Sequence, residues 1–171
     1  MARFKPARGL DEQIAQRFGR PVIERALEML TEEAQRRAPG TRVWVTMRDE
    51  RVRTSHFNAD GQVIPDNLRF KVERPGMAGD YELARHPRDP NLSAANAINC
   101  RCDDPGIPHL LRQSIHHNGV HVVGTRVSGE VETRFPRAAE SEFGTSGDEA
   151  AHYFTNALRE VALRLQSGHS R

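Results

Sequence analysis

Three side chains able to bind a soft metal ion stand within one stretch of an otherwise charged chain: His56, Cys100 and Cys102. The two cysteines are the only ones in 171 residues, and a single arginine separates them in Asn99-Cys100-Arg101-Cys102. Thiolate and imidazole are the donors that four-coordinate zinc prefers, and His86 or Asp89 would supply the fourth. Zinc is the expected ion, in a structural site of His56, Cys100, Cys102 and His86. A metal would also order the block from Arg53 to Cys102, which has few apolar residues, because binding energy then becomes folding energy. The same residues admit two other readings. In one, a hydrogen-bonded His56 packs against two buried thiols. In the other, Cys100 is a nucleophile and His56 its base, but nothing upstream supplies an oxyanion device or an orienting residue. A disulfide between cysteines one residue apart has unfavourable geometry.

Other chemistry-bearing residues carry weaker signals. His116-His117-Asn118-Gly119 invites a metal-dependent nuclease reading, yet Asn118-Gly119 is first of all a hairpin turn, and no second ligand cluster has suitable spacing. Gly124-Thr125 and Gly144-Thr145-Ser146 lack the Gly-Lys-Ser/Thr of a phosphate loop and read as turns. The arginines at 36, 37, 48, 51 and 53 either line a passage for DNA through weak phosphate contacts or form a solvated face.

The elements that must position these groups are read from periodicity. Asp11 to Phe18 gives a short helical pattern, with Ile14 and Phe18 on one face and Gly19 as its break. Pro21 opens a second helix, where Ile23, Ala26, Leu27, Leu30, Ala34 and Ala38 form one stripe until Pro39-Gly40 ends it. Val43, Val45 and Met47 alternate with Trp44 and Thr46, as in a strand. The block that follows is rich in Gly, Pro, Asn and Asp and predicts loops with short strands, Asn67 to Val72 being its alternating run. Residues 108–115 form a short helix or strand. Asn118-Gly119 then turns the chain into Val120–Val123, and a second strand covers Glu130 to Phe135. Ser146 or Asp148 caps a last helix, with Phe154, Ala157, Leu158, Val161 and Leu165 on one face. These elements give an α+β fold: two main helices, near 21–38 and 148–165, packed on a small antiparallel sheet. Residues 1–40 and 106–171 would form the core domain, and 41–105 a loop-rich insertion.

Composition narrows the classes. Twenty-five basic and 23 acidic residues leave a net charge of +2, too mild for a dedicated nucleic-acid binder. Lysine occurs only at Lys5 and Lys71, so arginine carries the positive charge. A mean hydropathy of −0.68 with 6% aromatics predicts a thin core that completes its packing against neighbours. The first residues, Met1-Ala2-Arg3-Phe4-Lys5-Pro6, contain no apolar signal region, and no window reaches the roughly 20 apolar residues of a membrane span. Synthesis and use in the cytoplasm, without a membrane partner, are expected.

Two family resemblances draw these features together. The outer segments comprise a helix ending in Arg37-Ala38-Pro39, then Leu111-Arg112-Gln113-Ser114-Ile115, a Val-rich strand, Glu142-Phe143-Gly144-Thr145 and a terminal helix. This order resembles the neck, or tail-completion, proteins of lambda-like long-tailed bacteriophages. The Asp-Thr-Gly that follows the proline in that family is replaced here by Gly40-Thr41 and the central block. That block is similar to Mu-type minor head (head morphogenesis) proteins, through Arg53/His56, Asp60/Gly61, Pro87/Asp89/Pro90 and Asn99/Cys100/Arg101/Cys102. The resemblances imply a structural, non-enzymatic virion protein at the head-to-tail junction, assembled in the host cytoplasm. They imply a homo-oligomeric ring, a hexamer or dodecamer. Its neighbours would be portal, adaptor or stopper proteins above and a tail terminator or tube protein below, with double-stranded DNA held non-specifically in the lumen. The alternatives are a minor head protein near the portal and, in another class, a small metal-dependent hydrolase or nuclease.

Overall fold

A computed structural model describes Gln13 and residues 15–167. The 3,4-spaced apolar stripe after Pro21 forms helix α1, Arg20–Arg37, which buries Leu27, Met29 and Ala34. Asp11 and Ile14 of the preceding helical pattern lie outside the described residues. Gly19 does not break the chain as expected; Ala15–Gly19 is a π-helical turn that runs directly into α1. The glycine here meets a need for space: a Cβ on Gly19 would come within 2.9 Å of Val127 Cγ2.

The described residues are α+β, with six α-helices and three two-stranded antiparallel sheets in place of one shared sheet. They divide into two compact units. The first comprises residues 15–37, 115–133 and 154–167. In it, α1 packs on a hairpin of β5, His116–Val123, and β6, Arg126–Glu132. Asn118-Gly119 is not the hairpin turn. It is a bulge inside β5, where the register shifts between His117 and Val120, and the turn falls at Gly124. Both places need a positive φ, 82° at Gly119 and 60° at Gly124. The second strand also starts earlier than expected, at Arg126. Helix α6, Tyr153–Gln166, buries Ala157 and Val161 but leaves Leu158 and Leu165 exposed. Arg164 and Glu160 of α6 link to Glu33 and Arg37 of α1 by ion pairs at 3.6 and 3.9 Å.

The second unit comprises residues 38–114 and 134–153, and contains the whole block 41–105. Strand β1, Thr41–Val43, pairs with β2, Val63–Pro65; β3, Phe70–Arg74, pairs with β4, Met77–Ala84. Short helices α2, Thr54–Ala59; α3, Ala94–Ala97; α4, Leu110–Ser114; and α5, Ala138–Phe143, fill the rest. Beyond β1 the expected alternation holds, with Trp44 and Thr46 turned inward and Val45 and Met47 outward. Leu68, Phe70 and Val72 point inward from the alternating run around β3 and join Trp44, Ile64, Ala84, Leu92 and both cysteines in one apolar core. Each large side chain buried there contributes about 1.5–3 kcal/mol.

The expected start of the last helix, at 148, is displaced to Tyr153. Asp148 is engaged elsewhere: its carboxylate accepts from Arg69 Nε at 2.7 Å and from Thr145 Oγ1 at 3.0 Å. A side chain held that way cannot cap a helix at its own position. No helix of the described residues is long and apolar enough to cross a membrane.

Candidate metal centre

His56 reaches the core because Arg53 starts a six-residue helix in extended geometry, φ −63° and ψ 147°, and His56 lies on the inward face of α2. Asp60-Gly61 ends that helix and ties it to the Trp44–Thr46 segment that follows β1. The Asp60 carboxylate accepts from Thr46 N at 2.8 Å and Arg48 Nε at 2.7 Å, and Gly61, at φ 76°, donates its N–H to Trp44 O at 2.8 Å.

The cysteines arrive by a different route. Asn99 takes a left-handed conformation, φ 53°, which asparagine tolerates better than most residues. Burial then alternates, Cys100 and Cys102 inward and Arg101 outward, as side chains do along extended backbone. Mutual 2.8 Å hydrogen bonds between Val45 and Asp103 form an isolated antiparallel bridge that fixes this segment beside Trp44. Arg101 pairs with Asp49 at 2.6 Å on the outer side.

The result is a buried cluster in which one ligand atom from each of His56, Cys100 and Cys102 lies within 4.8 Å of the others. His56 Nδ1 is 3.6 Å from Cys100 Sγ and 3.4 Å from Cys102 Sγ. Zinc bonds of about 2.0–2.1 Å to nitrogen and 2.3 Å to sulfur at tetrahedral angles put neighbouring N and S roughly 3.5 Å apart. The edges present in the cluster match that figure, and the group could hold a metal ion.

Electrostatics favour the ligand form of the histidine and oppose that of the thiol, whose proton a metal must displace. His56 is 1% exposed, and burial, then the charge of Arg53, lowers its pKa, which favours the neutral imidazole a metal requires. Asn96 acts in the opposite, raising direction, yet His56 Nε2 has no hydrogen-bond partner of ordinary geometry. The Cys102 thiol is pushed up to about 12 by burial and then by Cys100, so without a metal it stays protonated. A thiol held in that form is a poor nucleophile. Trp44, fully buried, stands edge-on to the His56 ring with centroids 5.5 Å apart, and edge-on to Phe70 at 5.3 Å.

His86, the expected fourth ligand, is not in the cluster. It is exposed, with Nδ1 2.9 Å from Pro87 O. Asp89 is buried but satisfies its own turn: its carboxylate accepts from Arg85 N at 2.6 Å, Asn91 N at 2.9 Å and Asn91 Nδ2 at 2.8 Å. Local turn chemistry outcompetes ligation there.

The nuclease candidates sit on the first unit's hairpin, with His116 Nε2 3.3 Å from Glu132 and His117 Nδ1 accepting from Gly119 N. They join no metal-binding group among the described residues. Of the arginines singled out, Arg36 and Arg37 pair with Glu33, Arg48 with Asp60, and Arg53 donates to Ile98 O, while Arg51 borders a small cavity beside His56. Trp44 is the wall of the site that sequence reasoning missed; its inward alternation with Thr46 was the available signal.

Comparison with protein-family models, curated proteins and solved structures finds no match to this chain.

Proposed function

We propose that the chain is a structural subunit of a long-tailed bacteriophage particle, part of the ring-shaped head-to-tail connector, with its central block stapled by zinc on His56, Cys100 and Cys102. The supporting observation is that Arg53/His56, Asp60/Gly61 and Asn99–Cys102 close around one buried cluster in the second unit. The outer helix, the Val-rich hairpin and most of the last helix gather in the first unit, while Leu111–Ser114 and Glu142–Thr145 of the outer resemblance fall in the second. Each half thus has its own means of folding: the first unit packs a helix on a hairpin, and the second surrounds a metal-ligating group.

Copies would assemble through heterologous contacts into a closed ring, a hexamer or dodecamer, around double-stranded DNA. Exposed Phe18, Val22, Leu158 and Leu163 supply apolar surface for contacts with neighbouring subunits, the portal side or the tail terminator. The convergence of three of the four minor-head motifs on the cluster, all but Pro87/Asp89/Pro90, favours one second reading, a minor head protein near the portal.

Electron microscopy of particles assembled without this chain tests both. Full heads beside separate finished tails are the expected result. Empty or aberrant heads would transfer the protein to the minor head position, and normal infectious particles would refute both readings.

A further inference from the structure

Resting on the metal reading above, we infer that the ion on His56, Cys100 and Cys102 keeps a fourth coordination position that no protein side chain fills. This position takes water and exchanges it for small monodentate anions. The donor inventory carries the first half of the inference. Zinc in protein sites is almost always four-coordinate, and among the described residues only these three side chains form a ligating group. The acidic neighbours are committed elsewhere, Asp60 to Thr46 and Arg48, and Asp89 to its own turn.

The space beside the cluster carries the second half. A cavity of about 10 Å³ is bordered by two of the three ligands, His56 and Cys102, together with Arg51, Val52, Arg53, Asn99 and Arg101. That is about the volume one water needs. Three of the bordering residues are arginines. Arg53 spends one arm on Ile98 O, and Arg101 pairs with Asp49, which also accepts from Arg51 N at 3.1 Å. Asp49 feels the charges of both Arg101 and Arg51, so one carboxylate stands against three arginine charges and the surroundings of the cavity stay net positive. A zinc ion with two thiolates and a neutral imidazole has no net charge, so an entering anion meets no opposing charge at the metal and a positive wall beside it.

The test uses the full chain loaded with cobalt(II) in place of zinc. Thiolate-to-cobalt charge-transfer absorption reports loading; the visible ligand-field bands report the coordination sphere. Fluoride, an anion about the size of the water it would replace, is then titrated into the loaded protein. The expected result is a saturable change in the ligand-field bands, with the charge-transfer absorption retained. Arg51→Ala should weaken fluoride binding by about fivefold while cobalt loading is unchanged, the effect of one partly screened charge. Two failures are distinguishable. If cobalt loads but its spectrum ignores fluoride, the fourth position is closed and this inference falls while the metal centre stands. If neither cobalt nor zinc loads, the metal centre itself falls, and this inference with it.

Discussion

Replacing His56 with leucine should cost far more stability with metal than without it. In the metal-free chain the imidazole is 1% exposed with an unpartnered Nε2. Leaving such a group buried costs about 1–3 kcal/mol, and leucine removes that cost. The substitution also loses the edge-on contact with Trp44, worth about 0.5–1.5 kcal/mol, and the Nδ1 contacts with both cysteine sulfurs. The opposing terms nearly cancel, and in chelator the variant should lie within about 1 kcal/mol of the wild type. With zinc the balance tips against the variant, because a ligand present at a thousandfold excess over its Kd adds about 4 kcal/mol to the state that binds it. His56→Leu gives up one of three donors and most of that gain. The assay is urea unfolding followed by fluorescence of Trp44, the only tryptophan, which stands against the imidazole. A loss of stability that is the same in zinc and in chelator would refute the metal centre and leave a packed histidine between two thiols.

The other predictions concern the first unit and its charge. Glu33 is 4% exposed, and Arg36 first, then Arg37, holds its carboxyl down from 4.5 to about 2 against the opposing effect of burial. The folded-state value lies below the unfolded one, so the contribution is complete above pH 4.5 and is lost as pH falls towards 2. At about 1.4 kcal/mol per pH unit the bound is roughly 3 kcal/mol, and solvent around the partner arginines reduces the expected value to about 1–2 kcal/mol. Far-ultraviolet circular dichroism in urea should show that gap between wild type and Glu33→Gln at pH 6 and its disappearance near pH 2; a gap independent of pH would refute the assignment. Gly129→Ala should destabilise by about 1–3 kcal/mol in the same assay. Its Cβ would overlap Leu27 Cδ1 and lie 2.8 Å from the Gly119 carbonyl oxygen. A neutral Gly129→Ala would mean that α1 does not seat on the hairpin at this point.

How much was legible depends on the range over which each feature is decided. Helix α1 was readable because Pro21, a long apolar stripe and Pro39-Gly40 all act within a few residues. Helix α2, which presents His56, has six residues and an arginine at its cap position without a side-chain cap bond, so it gives neither a period nor a start signal. At Asn118-Gly119 the positive φ was predictable, but a turn and a bulge both demand it. Pairing of His117 with Val131 and of Val120 with Gly129 decides between them, and that is information from a distant strand. The three residues of the buried cluster that could hold a metal ion were visible as residue types. The error at His86 and Asp89 came from treating sequence proximity as spatial proximity, although Asp89 followed by Pro90-Asn91 is itself a turn signal.

The first unit is assembled from three stretches of chain, with the second unit's residues threaded between them. On a ribosome this imposes an order of events. Once Cys102 has emerged, all three side chains of the His56, Cys100 and Cys102 cluster are available, whereas α1, made long before, must wait for β5 and β6 to acquire its packing surface. Contacts between such distant segments carry a loop-closure cost and form slowly. During that wait the apolar stripe of α1 is open to other contacts, so nascent chains stalled just after Cys102 are the species in which a chaperone would find the most to hold.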